Sequence, residues 1–144
     1  MSILDKIKTL MNKTEVIDPA KVTPYLLIGE EVGLKNLVDK FYFYMDTLPE
    51  AKRCRDLHKE SLAGANKKLF MFLSGWMGGP NLYIEAFGHP RMRMRHFPFK
   101  ITTIERDEWM LCMTKAMDDM NYHPELRAYL DDAFSRFAEH MRNH

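Results

Sequence analysis

The sequence is poor in cysteine: its 144 residues include only Cys54 and Cys112, which do not form a Cys-x-x-Cys motif. Two isolated cysteines cannot build a disulfide framework. Cys54 and His58 have the i, i+4 spacing of a zinc pair, but no third or fourth ligand lies nearby in the sequence. We therefore expect free thiols in a reducing, cytoplasmic compartment, and no zinc.

The chain also lacks a large net charge and a long apolar run. Its 21 Lys and Arg residues against 20 Asp and Glu residues leave a formal charge of +1, so no global field attracts nucleic acid or an anionic membrane. Lys6 and Lys8 interrupt the apolar residues near the N-terminus, which argues against a signal peptide or a membrane span. We expect no nucleic-acid partner and no membrane partner.

No run of alternating β-branched residues and no internal repeat is present. Apolar residues instead recur at helical spacing over residues 2–12, 31–48, 62–76, 104–120 and 126–141. The predicted fold class is therefore all-α.

Several capping and helix-breaking residues mark where these helices begin and end. They are Asp18-Pro19, Thr23-Pro24, Gly29, Pro49, Gly78-Gly79-Pro80, a capping box formed by Thr102 and Glu105, and Pro124. Residues 51–60 suit a short helix or a loop. Residues 81–88 suit a connection with apolar side chains to bury, namely Leu82, Tyr83, Ile84 and Phe87.

Methionine and aromatic residues are abundant, with 12 Met and 12% aromatics, which suits either a cofactor pocket or a deformable core. Residues 88–101 carry the most distinctive chemistry, because alternating Arg and Met lead into His96 just before Pro98. A His on a terminal turn facing apolar residues is a candidate iron ligand. A hydrogen-bonded core His is the alternative, and the Arg residues could instead form a phosphate-binding patch.

Two motifs carry a family resemblance. Residues 88–99 read Gly-His-Pro-Arg-x-Arg-x-Arg-His-x-Pro-Phe, and residues 105–109 read Glu-Arg-Asp-x-Trp. Together with Tyr42, the Leu-Ala-Gly-Ala start at residue 62 and Gly78-Gly79-Pro80, they make the chain resemble a truncated haemoglobin of the second group. The resemblance implies a two-over-two helical sandwich around haem over residues 23–144. Residues 1–22 lie outside the family's core, and their own spacing predicts a helical N-terminal extension.

The resemblance also implies roles for individual residues. His96 corresponds to the proximal ligand of the iron of haem b, and Tyr42 and Trp109 correspond to hydrogen-bond donors on the distal side. Ala65 stands where many globins have a distal His, so ligand contact is left to those donors. Either Leu57 or His58 is expected to face the distal cavity, and we favour His58.

The remaining expected pocket residues are apolar or cationic. Arg95, and after it Arg91, would pair with a haem propionate. The residues expected to line the haem, which would equally suit an ordinary core, are Leu69, Phe72, Leu73, Trp76, Met77, Tyr83, Met94, Phe99, Ile101 and Met113.

The expected function is reversible binding of dioxygen and other diatomic ligands, as in oxygen transport, by a monomer or dimer. The alternative is a haem enzyme that oxidises nitric oxide with dioxygen or acts as a peroxidase, which would need an unidentified reductase as electron donor. A more distant alternative is a haem-free interaction module that presents its Arg-rich segment to an acidic partner.

Overall fold

The computed structural model describes residues 22–59 and 61–144, and these residues form helices joined by short loops, without a strand. The helix predicted over residues 2–12 and the restart at Asp18-Pro19 lie outside the described residues. The all-α prediction is confirmed. No helix in the described part of the chain is long and apolar enough to cross a membrane.

The helices, numbered along the chain, have the following bounds. They are α1 (Pro24–Leu27), α2 (Glu30–Thr47), a 3-10 turn (Pro49–Ala51), α3 (Lys52–Asp56), α4 (Leu62–Trp76), α5 (Leu82–Phe87), α6 (Met92–His96), α7 (Thr103–Asp118) and α8 (Pro124–Met141).

Local sequence signals set several of these ends as predicted. The Thr23 hydroxyl accepts a hydrogen bond from the backbone N–H of Leu26 at 3.2 Å and caps α1. At α7, Thr102 accepts from the Ile104 N–H at 3.1 Å while the Glu105 carboxylate accepts from the Thr102 N–H at 2.9 Å. These bonds satisfy N–H groups that have no partner inside a helix, so the predicted capping box is confirmed.

The turn between α1 and α2 depends on two glycines. Gly29 adopts a φ of +100°, a left-handed conformation that favours glycine. A Cβ on Gly33 would lie 1.8 Å from the carbonyl oxygen of Ile28, so only glycine allows α2 to pass this close to the end of α1. The first turn of α2 is thereby held against α1.

The long helices form two packed pairs that share one core. Helix α2 packs against α4 and α7, and α7 packs against α8. Their facing stripes bury Leu34, Leu37, Phe41, Met45, Leu73, Met113, Met117, Leu130 and Phe134. This is the two-over-two sandwich predicted for the chain, and the short helices α5 and α6 complete one side of it.

Two expectations differ from the structure. Residues 81–88 were expected to be a connection but contain the helix α5, and of its apolar residues Ile84 and Phe87 are exposed while Tyr83 is buried. Ile104, expected on the inner face of α7, is also exposed. At six residues, α5 is too short to show helical periodicity, which is why the sequence pattern did not reveal it.

Candidate functional site

His96 is the last residue of α6, and its ring is oriented by a bond within that helix. Its Nδ1 lies 2.5 Å from the backbone carbonyl oxygen of Met92, four residues earlier. Because a carbonyl oxygen can only accept a hydrogen bond, Nδ1 must carry the proton. In the neutral ring Nε2 then holds the lone pair, which is the arrangement that a metal-binding imidazole requires.

The Arg95 side chain supports the loop that leads into α6. The Arg95 guanidinium donates through Nε to the carbonyl oxygen of Pro90 at 2.5 Å, and through Nη2 to those of His89 and Phe87 at 3.3 and 3.5 Å. It also lies over the Tyr83 ring, 5.4 Å from the centroid. Arg91 directly precedes α6 and has a left-handed φ of 43°. Its guanidinium forms no hydrogen bond or ion pair with any other residue in ranges 22–59 and 61–144.

The chain around His96 exposes an unusual amount of apolar surface. Met94 is 50% exposed and Phe97 is 53% exposed, and Trp76, Phe87 and Phe99 are exposed as well. Folded chains rarely leave this many large apolar side chains in water unless a ligand or a partner covers them. A flat apolar cofactor placed against this surface would cover them.

The side chain of Tyr42, on α2, lies next to that of His58, two residues after the end of α3. Their ring centroids are 6.2 Å apart with the planes nearly perpendicular. Burial raises the pKa of Tyr42 well above its usual range, so the phenol keeps its proton and remains a hydrogen-bond donor. Its hydroxyl has no hydrogen-bond partner among the residues described by the structure.

His58 is half-buried, and its Nδ1 lies 3.1 Å from the carbonyl oxygen of Cys54. Burial lowers the pKa of His58; the bond to the Cys54 carbonyl raises it in part, and the nearby Arg55 and His96 lower it further. The ring is therefore neutral at pH 7, with its proton on Nδ1 and an acceptor at Nε2. In this form His58 can accept a hydrogen bond beside Tyr42 but cannot donate one through Nε2.

Trp109 belongs to an aromatic cluster that connects α7 with α2 and α8. Its ring centroid lies 5.0 Å from Phe41, 6.0 Å from Phe134 and 5.8 Å from Phe137. Phe41 is fully buried and also contacts Tyr42 edge-on at 4.9 Å. Phe41 was not among the predicted site residues, although its place on the apolar stripe of α2, next to Tyr42, was the signal that could have identified it.

The predicted lining residues occupy three kinds of position. Ala65, Leu69 and Phe72 are half-buried on α4, while Trp76, Met94 and Phe99 are exposed. The remaining predicted lining residues are buried, namely Leu73, Met77, Tyr83, Ile101 and Met113. Of these, Leu73, Met77 and Met113 belong to the hydrophobic core and not to the accessible surface of the site.

The two cysteines are free and buried. Burial raises the pKa of Cys54 to about 12 and that of Cys112 to about 11, so both remain thiols at neutral pH. In the described part of the chain, no three His, Cys, Asp or Glu residues are grouped so that they could hold a metal ion. His96 would then be a single protein ligand, which suits an iron whose remaining ligands come mainly from a macrocycle.

The two-over-two all-α sandwich is the fold of a globin, a class of haem-binding proteins. The bacterial-like globin family matches residues 23–143, so the chain belongs to this family. Its similarity to a group 2 truncated hemoglobin, given below, places it among the group II truncated haemoglobins. Members of the family bind haem, and through it diatomic gases.

Individual relatives agree with this assignment. Group 2 truncated hemoglobin YjbI of Bacillus subtilis is 40% identical over 120 residues, covering 83% of this chain and 88% of that protein. The structure of a group II 2-on-2 hemoglobin from Agrobacterium tumefaciens is 42% identical with a TM-score of 0.83, covering 88% of this chain and 98% of that one. The structure of a truncated oxygen-avid haemoglobin from Bacillus subtilis is 38% identical with a TM-score of 0.76, and the match covers 85% of this chain and 100% of that one.

Proposed function

We propose that this globin reversibly binds dioxygen and other diatomic ligands at haem b, with Nε2 of His96 as the proximal iron ligand. The observation that carries the proposal is the hydrogen bond from His96 Nδ1 to the Met92 carbonyl oxygen, which leaves Nε2 as the lone-pair nitrogen. Haem supplies the iron centre at which a gas molecule binds. The chain supplies the ligand, the apolar walls and the hydrogen-bond donors.

Tyr42 and Trp109 are the proposed donors on the side opposite His96. The Tyr42 hydroxyl is protonated at neutral pH, and the indole N–H of Trp109 can only donate. Donors held by a packed protein stabilise a partly negative ligand without having to reorganise first. The relative described as oxygen-avid supports dioxygen as a ligand here.

His58 is proposed to orient Tyr42 rather than to contact the ligand as a donor. The two rings lie edge-on with their centroids 6.2 Å apart, so His58 restricts the position of the Tyr42 ring by packing and leaves the single phenol proton for the ligand. Ala65 has no polar group, so it leaves room beside the ligand without competing for it. This division of roles makes Tyr42 and Trp109 the residues that control ligand release.

Arg95 and Arg91 are the proposed partners of the haem propionates. Arg95 already uses Nε and Nη2 on backbone carbonyls, which fixes its guanidinium and leaves Nη1 for a carboxylate. Arg91 is exposed at the start of α6 and has its whole guanidinium available to the carboxylate.

The two free thiols fit a reducing compartment, so we place the protein in the cytoplasm.

Absorption spectroscopy of the purified chain with haem tests this function. We expect an intense haem band, a five-coordinate ferrous spectrum, and a reversible change when dioxygen is added and removed. Stopped-flow measurement of dioxygen release then separates the roles, because fast release suits transport and slow release suits oxidation of nitric oxide. A colourless protein that takes up no haem would overturn the proposal in favour of an interaction module.

A further inference from the structure

Asn143, just after the end of α8, makes an unusual set of contacts with the segment that carries His96. Its side-chain Oδ1 accepts from the backbone N–H of Ile101 at 3.0 Å. Its Nδ2 donates to the carbonyl oxygen of Phe99 at 2.8 Å and to that of His96 itself at 3.2 Å. One carboxamide therefore binds three backbone groups between the end of α6 and the start of α7.

Backbone bonds reinforce this contact. The N–H groups of Asn143 and His144 both donate to the carbonyl oxygen of Ile101, at 3.0 and 3.2 Å. We call residues 143–144, with these bonds to residues 96–101, the tail bracket. Its polar contacts replace the core packing that the short helix α6 lacks, since no residue of α6 is buried.

The tail bracket is itself held in place by ion pairs. Arg142 donates through Nη2 to the Glu139 carboxylate at 2.7 Å, and that carboxylate also pairs with Arg106 on α7. The chain leaving α8 is thus tied to α7 one residue before Asn143. The amide reaches the His96 segment from a fixed support.

The carbonyl oxygen of His96 accepts two hydrogen bonds, one of them from Asn143. The last carbonyls of a helix have no intrahelical donor, and those of α6 belong to a helix of only five residues. The His96 carbonyl accepts from the Phe99 N–H at 3.0 Å and from Asn143, so both of its lone pairs are used. A side chain that both donates and accepts is required, which asparagine provides and aspartate or leucine does not.

We infer that Asn143 is a positioning residue for His96, which fixes the end of α6 and so sets the direction from which the imidazole approaches the iron. This inference rests on the proposed function, because it assigns Asn143 a task only if His96 is the proximal ligand. The Asn143 side chain contacts this segment only through backbone groups, so it would act on the iron through the backbone of His96.

Resonance Raman spectroscopy of the ferrous protein tests the inference, because the iron–histidine stretching band reports the geometry of that bond directly. In Asn143→Ala we expect this band to shift or broaden, and haem to transfer to an apoglobin acceptor about tenfold faster, the change expected if one to two of the three lost hydrogen bonds stabilise the haem-bound state. Asn143→Asp, which keeps the acceptor for Ile101 but loses both donors, should show the same changes. Asn143→Gln, which keeps both groups on a longer side chain, should fall between wild type and Asn143→Ala.

Asn36→Ala is the matched control, since Asn36 is exposed on α2 and its side chain makes no hydrogen bond within the described ranges. It should leave the band and the transfer rate unchanged. If Asn143→Ala does not fold, Asn143→Gln carries the test. A band and a transfer rate equal to those of wild type in the folded variants, even with a lowered melting temperature, would reduce Asn143 to a structural role. Failure of the proposed function would look different, because wild type would then bind no haem or show no iron–histidine band.

Discussion

The Tyr42 side and the His96 side of the site are positioned by different forces. Tyr42 and Trp109 stand on the long helices α2 and α7, and the buried ring of Phe41 contacts both of them. His96 ends a five-residue helix without a buried residue, and hydrogen bonds from Arg95 and Asn143 to backbone carbonyls hold its segment. Packing therefore positions Tyr42 and Trp109, whereas polar contacts position His96.

The largest expected effect is that of His96→Ala. Removing the only proposed iron ligand should abolish stable haem uptake or change the spectrum drastically, while the apolar core, to which His96 contributes little, keeps the chain folded. Absorption and circular dichroism spectra measured side by side check both statements. A normal five-coordinate ferrous spectrum in this variant would contradict the assignment of His96.

Phe41→Ala tests the packed side. Because Phe41 is fully buried and touches both Tyr42 and Trp109, its loss should lower the free energy of unfolding by about 3–5 kcal/mol. Chemical denaturation measures this value. Asn143→Ala loses three partly exposed hydrogen bonds, which at about 0.5 kcal/mol each should cost about 1.5 kcal/mol, and equal losses in the two variants would erase the difference between the two sides.

Tyr42→Phe and Trp109→Phe test the donors separately from the packing. Each removes one neutral donor, so the dioxygen dissociation rate should rise about fivefold or more, which corresponds to about 1 kcal/mol. Stopped-flow kinetics measures the rate. Tyr44→Phe is the matched control, because its hydroxyl donates to Asp119 on the surface instead, and an unchanged rate in Tyr42→Phe would remove Tyr42 from this role.

The smallest expected effect concerns the ion pairs behind the tail bracket. Arg142 and Arg106 lower the pKa of Glu139 to about 2. The unfolded chain therefore binds a proton that the folded chain does not, and the stabilisation present above about pH 4.5 is lost as the pH falls towards 2. Melting temperatures from pH 7 to 3 should show Glu139→Gln below wild type at neutral pH with a gap that narrows in acid, and a constant gap would count against this coupling.

The parts predictable from the sequence are those with local or family-wide signals. The capping box at Thr102 and the end of α2 before Pro49 follow from residues within a few positions of each other. The two motifs around His96 and Trp109 carry the family resemblance, and the family match confirms the resemblance itself. The roles of His96, Tyr42 and Trp109 stay predictions, with contacts that support them.

What the sequence could not supply depends on contacts between distant residues. Asn143 is a single polar residue in a polar tail, 47 positions from His96, and no periodicity or motif marks it. The tautomer of His96 likewise depends on the direction of the Met92 carbonyl, which only the folded helix defines. The sequence left two candidates for the residue beside Tyr42, Leu57 and His58. A short helix followed by a loop does not determine which of two neighbouring side chains turns inward.

The buried thiols of Cys54 and Cys112 have a practical consequence. With pKa values of about 12 and 11, almost no thiolate exists at neutral pH, and the folded chain shields both sulfur atoms from reagents. An alkylating reagent can therefore label them only when the chain opens. The rate of labelling therefore reports the rate at which the folded chain opens, without an added probe. This rate can be measured with and without haem.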